Sequence, residues 1–223
     1  MKSYFFDKVL NVRDIGGYNS IYGIIKNNMV IRGQLPYNIS SKDKEKFNKL
    51  DLNPIDIRSD KEKKEKKTFF EKYNNIYLHK TRWPKTEEDI PITYMEVLED
   101  YENIKKIFDI IVDSTKTIYI YCGLGKDRTG VIIMLLLLLC KVNHDDIIAD
   151  YALSDIYLKK YYHFFHENNP KYPKYLGRAK PEYMEKTLKL FFDKYGTIES
   201  YFDKVGLNKE KIELLRKKMI TIE

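Results

Sequence analysis

A cysteine and an arginine lie six positions apart in the segment 117–130, on either side of a turn that contains two glycines. Residues 117–121 are β-branched and aromatic, which is typical of a buried strand. Residues 131–139 form a continuous apolar run that is long enough for a buried helix. The segment therefore requires a fold in which a buried strand leads into a buried helix, with Cys122 at the end of the strand and Arg128 in the connecting loop.

The composition of this loop indicates an anion-binding site. Gly123 and Gly125 can adopt positive φ, which allows consecutive N–H groups to surround one anion, and the following helix adds positive partial charge. Such a field favours a thiolate, so we expect Cys122 to be a nucleophile. The guanidinium of Arg128 can bind two phosphate oxygens, and Thr129 can donate its hydroxyl to the departing sulfur. The predicted phosphate-binding residues are Gly123, Leu124, Gly125, Lys126, Asp127 and Arg128.

Other interpretations of the loop are weaker or remain open. A lone cysteine is commonly a small buried residue, but the strand, spacing, glycines, arginine and helix together favour a nucleophile. A nucleotide-binding P-loop is excluded, because Lys126 is followed by Asp127 instead of Ser or Thr. Lys126 is either a second cation for a multiply phosphorylated substrate, which we favour, or the structural partner of a nearby carboxylate.

The Cys-x5-Arg-Thr sequence resembles the signature of the cysteine-dependent protein tyrosine phosphatases, and more narrowly their bacterial tyrosine/serine and lipid phosphatase branch. Further matches span nearly the whole chain: residues 11–18, 31–33, 55–59, 149–154, 195–196, 201–202 and 206–207. The resemblance implies a metal-independent hydrolase of phosphate monoesters that uses no cofactor and forms a phosphocysteine. We expect a protein tyrosine phosphatase of broad specificity.

Two departures from the family pattern concern the chemistry. Tyr121 stands where the family usually has histidine, and Trp83-Pro84 is followed by Lys85 where many relatives have the aspartate that acts as general acid. A lysine of ordinary pKa is too weak an acid for this role. Asp127, inside the loop, is the first candidate for the acid, and Asp89, on the Trp-Pro segment, is the second. Glu87 and Glu88 are weaker alternatives.

Three alternatives to the leading function remain open. Lys126 and the cationic stretch 171–180 favour a phosphoinositide or inositol phosphate phosphatase of the same mechanism. Tyr121 and Lys85 make a non-catalytic phosphate-binding module conceivable. A rhodanese-like sulfur transferase is disfavoured by the Thr129-Gly130 ending. Asp56 and Arg58 could support the loop through neighbouring residues, although a structural ion pair is favoured. Arg13, Asp14 and Arg32 are expected near the site without chemical roles.

Strands and helices alternate along the chain, which predicts an α/β fold with a mostly parallel central sheet flanked by helices. The loop then lies at the carboxyl end of its strand, where ligands of such sheets bind. We expect one phosphatase domain over 1–223, with a core over about 1–155 and a helical lid and C-terminal helices over about 156–223. Local patterns predict a strand at 76–78, one helix over 94–112 and a solvated helix over 61–67.

Residues 155–180 combine crowded aromatic side chains with a cationic stretch. One interpretation is a lid whose aromatic residues wall a deep pocket, and an equally supported one is ordinary helix packing followed by a solvated loop. The aromatic residues are Tyr157, Tyr161, Tyr162, Phe164 and Phe165, and the cations are Lys171, Lys174, Arg178 and Lys180.

Charge and cysteine content limit the partners and the compartment. Forty basic and 33 acidic residues give a net charge of +7, which favours polyanionic binding partners. The loop is a more specific reason to bind phosphate than the overall charge is, so we do not expect nucleic acid as a partner. Only two cysteines occur, so we expect a reducing cytoplasm and a core position for Cys140. The apolar run 131–140 is shorter than the about 20 residues that span a bilayer. We expect no metal site. Export by a specialised route would leave no readable signal in the sequence. The sequence does not predict the oligomeric state.

Overall fold

The computed structural model describes residues 2–78 and 84–221 as two small sheets surrounded by helices. The strands are β1 Arg13–Asp14, β2 Asn19–Ser20, β3 Gly23–Ile25, β4 Val30–Gln34, β5 Leu52–Asp56, β6 Asn74–Asn75, β7 Thr117–Cys122 and β8 Ile220–Thr221. The helices are α1 Ser41–Asn48, α2 Asp60–Glu65, α3 Asp89–Leu98, α4 Tyr101–Asp113, α5 Asp127–Leu139, α6 His144–Asn168, α7 Pro181–Tyr195, α8 Ile198–Val205 and α9 Lys209–Met219, with a 3-10 turn at Lys174–Gly177.

The larger sheet has the order β1-β4-β7-β5-β6. Strands β4, β7, β5 and β6 are parallel, and only β1 runs antiparallel to its neighbour β4. The prediction of a mostly parallel sheet in an α/β fold is therefore confirmed. Cys122 is paired with Gln34, so β4 and β7 end together and the loop lies at the carboxyl edge of the sheet. The smaller sheet, β2-β3-β8, is antiparallel.

Both faces of the larger sheet are covered, and β7 shows how. Ile118, Ile120 and Cys122 belong to the large core formed with α3 to α9. The alternate residues Tyr119 and Tyr121 point into a second, aromatic core against α1. In α5, all residues from Thr129 to Leu139 are buried, which explains why its sequence is apolar without a polar face.

Two predicted elements are wrong in their bounds. The single helix predicted over 94–112 is two helices, because the side chain of Asp100 accepts a hydrogen bond from the amide of Asn103 and begins α4 there. The strand predicted at 76–78 is assigned at Asn74–Asn75 instead. Ile76 still donates its amide to the carbonyl of Asp56 at 3.1 Å, so the chain follows the sheet edge beyond β6 without forming a regular strand.

The helices after β7 begin and end at residues that are typical of helix termini. The Asn143 side chain accepts from the amide of Asp146 at the start of α6, and Pro181 is the first residue of α7. Gly196 ends α7 with φ of +72°. Helix α6 runs on to residue 168, beyond the change of composition near residue 155. In the described part of the chain, none of the helices has both the length and the apolar character that crossing a membrane requires.

Candidate active site

The loop between β7 and α5 consists of residues 123–126 and carries Cys122 at its base. The side chain of Cys122 is buried, with the residue 4% exposed. Gly125 has φ of +65°, and a Cβ atom there would lie 2.1 Å from the carbonyl oxygen of Gly33. Only glycine fits this position, since both the conformation and the space exclude a side chain. Gly123 does not adopt positive φ and has open space around it.

Side chains from β4 and from the segment before β1 hold the outer side of the loop. The Asn11 amide donates to the carbonyl oxygens of Leu124 and Gly125, both at 3.1 Å. Arg32 Nη2 donates to the same Gly125 oxygen at 2.8 Å. These hydrogen bonds hold two carbonyl groups of the turn in place, which helps to fix its backbone conformation.

Beneath the loop lies a buried charge network of two arginines and one aspartate. Arg13 Nε donates to Asp150 at 2.9 Å, and Arg32 Nη1 donates to the other carboxylate oxygen. Burial acts to raise the pKa of Asp150, but the two guanidinium groups outweigh it and lower the pKa. Burial and the charge of Arg13 lower the pKa of Arg32 to about 10. The carboxylate therefore stays ionised and fixes Arg32 under the loop.

Arg128, at the second position of α5, is held by Glu62 of α2. Its Nη1 and Nη2 donate to the two Glu62 carboxylate oxygens at 2.9 and 2.6 Å. Partial burial acts to raise the pKa of Glu62, but Arg128 and the hydrogen bonds from Ser59 overcome it and hold the pKa at about 2. A fork-to-fork pair of this kind fixes the plane of the guanidinium.

Glu62 was not among the predicted site residues, because the charge run 61–67 is typical of a solvated helix. The signal was present as Ser59-x-x-Glu62, a capping box in which Ser59 and Glu62 bond each other's backbone amides. That motif fixes Glu62 on the first turn of α2, and β5, which precedes the helix, ends beside β7. The neighbouring pair Asp56 and Arg58 is structural: Arg58 Nη2 donates to Asp56 at 2.7 Å, and its Nη1 donates to the carbonyl of Lys66 at 2.8 Å.

The candidate acids occupy different surroundings. Asp127 begins α5, accepts a hydrogen bond from the Tyr94 hydroxyl at 2.6 Å and lies 3.3 Å from the Lys126 ammonium. Asp89 begins α3 and accepts from the backbone amides of Lys85 and Thr86 at 3.0 and 3.1 Å, which closes the preceding turn. Glu87 accepts from the hydroxyl of Tyr183 at 2.7 Å. Trp83, which marks the start of this segment in the sequence, lies outside the described residues.

A family model described as the tyrosine phosphatase family matches residues 4–221 of the chain. The chain belongs to this family. A protein of Cupriavidus necator that is named as a candidate tyrosine-protein phosphatase is 28% identical over 170 residues. The match covers 67% of this chain and 62% of the relative, so the chain spans less than two thirds of the relative's length.

In this tyrosine phosphatase family member, Lys126 is buried and bound to the turn at 174–177. Its ammonium donates to the carbonyl oxygens of Leu176 and Arg178 at 3.0 and 2.7 Å. The same turn is anchored elsewhere, because the Tyr175 hydroxyl donates to the carbonyl of Lys85 at 2.6 Å and Arg178 pairs with Asp155 at 2.7 Å. The ammonium is thus committed to the protein backbone, in addition to its contact with Asp127.

Tyr121, the residue that replaces the usual histidine, faces away from the loop. It lies in the aromatic core on the opposite face of the sheet, with its ring 5.4 Å from that of Tyr119 and 6.1 Å from that of Phe70. Asp14 is also away from the loop and accepts from the backbone amides of Gly16 and Asn28 at 2.9 and 2.6 Å. The contacts of Tyr121 therefore belong to the aromatic core, and those of Asp14 belong to the hairpin near the N-terminus.

Two further predicted residues of this family member are buried in α5 or at its end. Thr129 is fully buried and, among the described residues, its hydroxyl has no hydrogen-bond partner. It lies three residues after the loop, in the first turn of α5. Cys140 is buried at the C-terminal end of α5, where burial raises the pKa of its thiol to about 12. A helix of 13 residues separates the two cysteines, a length of about 20 Å.

Side chains that could bind a metal ion are not clustered in the part of the chain that the structure describes. Within residues 2–78 and 84–221, no three side chains of His, Cys, Asp or Glu are grouped closely enough to hold a metal ion. His163 pairs with Glu167 at 3.2 Å on the exposed side of α6. His166 lies among the rings of Tyr162, Phe165 and Tyr172.

Replacing Asp150 with asparagine is expected to destabilise the protein by about 3 kcal/mol, because two buried guanidinium groups lose their counter-charge. The measurement is denaturant unfolding at pH 7. Since the pKa of Asp150 is lowered in the folded state, its contribution is fully present above the unfolded value of about 3.9 and is lost as the pH falls through the folded value. The difference between variant and wild type should therefore shrink in acid.

The matched control for this prediction is Asp155→Asn. Asp155 also pairs with an arginine, but the Arg178 side chain is 52% exposed. An exposed pair of this kind contributes about 1 kcal/mol or less. Equal effects of the two substitutions would contradict the role assigned to the buried network.

Replacing Lys126 with methionine is expected to loosen the turn at 174–177, because its two carbonyls lose a charged donor. Amide hydrogen exchange of Leu176 and Arg178, whose N–H groups are bonded within this turn, should accelerate by about tenfold or more. The exposed neighbour Lys174→Met is the control and should change little. If Lys126 instead binds substrate phosphates, the variant will lose affinity for doubly phosphorylated ligands, while amide hydrogen exchange in the turn stays unchanged.

Proposed function

We propose that this chain hydrolyses phosphate monoesters through a phosphocysteine intermediate and is a protein tyrosine phosphatase of broad specificity. The observation that carries the proposal is the arrangement at the carboxyl edge of the sheet. Cys122 lies at the base of a turn whose outer carbonyls are bound by Asn11 and Arg32, and Arg128 is oriented by Glu62 at its other end. We further propose that residues 1–223 act as one phosphatase domain.

In the first step, a phosphate monoester binds to the loop amides and to Arg128. The Cys122 thiolate attacks phosphorus in line with the ester oxygen, so a sulfur–phosphorus bond forms while the phosphorus–oxygen bond breaks. Asp127 transfers a proton to the leaving oxygen. The guanidinium and the loop N–H groups stabilise the charge on the transferring phosphoryl group.

In the second step, a water molecule replaces the leaving alcohol. Asp127, now ionised, takes a proton from this water, and the oxygen attacks phosphorus as the sulfur–phosphorus bond breaks. The departing sulfur carries negative charge, and the buried hydroxyl of Thr129 is available to donate to it. Inorganic phosphate leaves, and the thiolate is regenerated.

Asp127 is favoured over Asp89 as the acid because of where the two carboxylates lie. Asp127 is part of the chain that forms the phosphate loop, one residue before Arg128. Asp89 lies at the start of α3, where it accepts hydrogen bonds from two backbone amides and closes the turn before that helix.

The choice of substrate is supported by the surroundings of Lys126. Its ammonium is bound to two backbone carbonyls, which disfavours a role as a second phosphate ligand and supports phosphotyrosine over a phosphoinositide. The phosphoinositide alternative rests on the exposed Lys171 and Lys174, which belong to a segment that contacts the loop through Lys126.

We propose that residues 156–180 form a lid over the site.

A panel of three substrates tests this function: a phosphotyrosine peptide, a phosphoserine peptide and a dispersed phosphoinositide, each with a metal chelator present. We expect turnover of the phosphotyrosine peptide to be fastest, insensitive to the chelator and absent in Cys122→Ser. Faster turnover of the phosphoinositide would favour the alternative substrate. Tight binding of phosphotyrosine without turnover of any of the three would show a phosphate-binding module instead of an enzyme.

A further inference from the structure

Asp127 is connected to two buried tyrosines that come from different helices. Tyr94 of α3 is 3% exposed, and its hydroxyl lies 2.6 Å from a carboxylate oxygen of Asp127. Tyr151 of α6 is 1% exposed, and its hydroxyl lies 2.7 Å from that of Tyr94. The two rings meet edge to face, with centroids 5.9 Å apart. Three helices thus converge on a single carboxylate beside the phosphate loop.

The direction of these hydrogen bonds follows from the chemistry of the groups. An ionised carboxylate can only accept, so the Tyr94 hydroxyl donates to Asp127. The Tyr94 oxygen is then the acceptor for the hydroxyl of Tyr151. Burial, reinforced by the charge of Asp127, raises the pKa of both phenols well above the usual value, so both keep their protons.

We propose that Tyr94 is the positioning residue of the general acid–base Asp127, and that Tyr151 orients the Tyr94 hydroxyl for this role. The inference rests on the proposed function, because it assumes that Asp127 exchanges protons with the substrate. Two fixed rings limit the rotation of the carboxylate, which keeps it beside the loop between the two steps of the reaction.

The hydrogen bond from Tyr94 also stabilises the ionised form of Asp127 relative to the protonated form. This favours its role as base in the second step and confines its role as acid in the first step to lower pH. In the first step, the effect should be visible only with substrates whose leaving group needs a proton. A leaving group that is stable as an anion departs without one. The comparison therefore uses kcat/KM, which does not include the second step that all substrates share.

Several other groups face Asp127 and have to be considered. The Lys126 ammonium lies 3.3 Å away, and Arg128 and the phenols of Tyr162 and Tyr172 also act on it electrostatically. Phenylalanine at position 94 leaves all of these in place and removes one hydrogen-bond donor. A change in the pH profile of that variant can therefore be assigned to the Tyr94 hydroxyl.

The test compares wild type with Tyr94→Phe on phenyl phosphate, whose leaving group is poor, and on para-nitrophenyl phosphate, whose leaving group is good. We expect kcat/KM for phenyl phosphate to fall about tenfold, a part of the 10²–10⁴ that general acid catalysis supplies. For para-nitrophenyl phosphate kcat/KM should change less than about threefold by the same reasoning. The alkaline limb of the kcat/KM profile for phenyl phosphate should move to higher pH.

Three further variants make the result decisive. Tyr151→Phe should shift the profile in the same direction by less, and Tyr101→Phe, which loses a hydroxyl pair with Tyr195 at 3.1 Å, should leave the profile unchanged. Asp127→Asn should remove the alkaline limb for phenyl phosphate. Equal loss on both substrates in Tyr94→Phe, or an unchanged profile, overturns the inference.

The same variants separate failure of this inference from failure of the proposed function. If Asp127→Asn slows phenyl phosphate while Tyr94→Phe does not, Asp127 is the acid and Tyr94 does not position it. If Asp127→Asn has no effect on either substrate while Cys122→Ser is inactive, the acid lies elsewhere, and the inference fails while the cysteine mechanism stands. Activity retained in Cys122→Ser overturns the proposed function itself.

Discussion

Replacement of Cys122 with serine is expected to lower kcat by about 10⁴ or more while the protein still binds phosphate, since removal of a nucleophile in a comparable site costs up to about 10⁶. An alcohol does not ionise in the physiological range, so serine offers no anion at the base of the loop. The side chain is similar in size to cysteine, and residue 122 is buried at the end of β7. The measurements are kcat on para-nitrophenyl phosphate and calorimetric binding of inorganic phosphate.

Cys140→Ser is the matched control for this substitution. It places the same hydroxyl in a fully buried position at the far end of α5. We expect a loss of stability, because a buried hydroxyl needs a partner, but kcat within about twofold of wild type. A Cys122→Ser variant that retains a substantial rate would show that another group attacks phosphorus.

Replacement of Arg128 with lysine is expected to lower kcat/KM by about 10³, the scale on which removal of transition-state charge stabilisation acts. Lysine keeps the positive charge but lacks the planar fork that binds two phosphate oxygens and that pairs with both oxygens of Glu62. Steady-state kinetics on the phosphotyrosine peptide measures the loss. A decrease of less than about tenfold would contradict the role of the guanidinium plane.

Glu62→Gln separates orientation of Arg128 from its charge. Glutamine keeps the shape of the partner but loses the ion pair, and we expect a decrease in kcat/KM of about tenfold, roughly the value of one charge-assisted hydrogen bond. With a pKa of about 2, Glu62 stays ionised through the assay range. Its depressed pKa makes its contribution complete above the unfolded value of about 4.3, with loss only as the pH falls towards 2. Ionisation of Glu62 should therefore produce no limb in the profile of kcat/KM from about pH 5 to 8.

The strand, loop and helix around Cys122 could be predicted because each is fixed by local sequence. A β-branched run, a turn that contains glycine and an apolar run determine these elements. Gly125 adopts positive φ against the Gly33 carbonyl, whereas Gly123 does not. The caps at Asn143 and Thr197 and the boundaries of α7 are equally local. Parallel pairing followed from the alternation of strands and helices.

The contacts that orient the site could not be predicted, because they join distant parts of the chain. Tyr94 and Tyr151 lie in separate helices, and only the packing of these helices brings the Tyr94 hydroxyl to Asp127 and the Tyr151 hydroxyl to that of Tyr94. The loop sequence favours Lys126 as a phosphate ligand, because nothing near it in the sequence indicates that its ammonium binds the carbonyls of Leu176 and Arg178. The break between α3 and α4 was missed, since the apolar period continues across Asp100.

Detection of the intermediate tests the central claim most directly. Wild-type protein is mixed with excess para-nitrophenyl phosphate, denatured within the first turnovers and digested, and the peptide that contains Cys122 is analysed by mass spectrometry. The account predicts a phosphoryl group on Cys122 that appears with substrate, disappears once substrate is exhausted and is absent from the Cys122→Ser variant. A phosphoryl group on another residue, or a burst of product with none on Cys122, would contradict it.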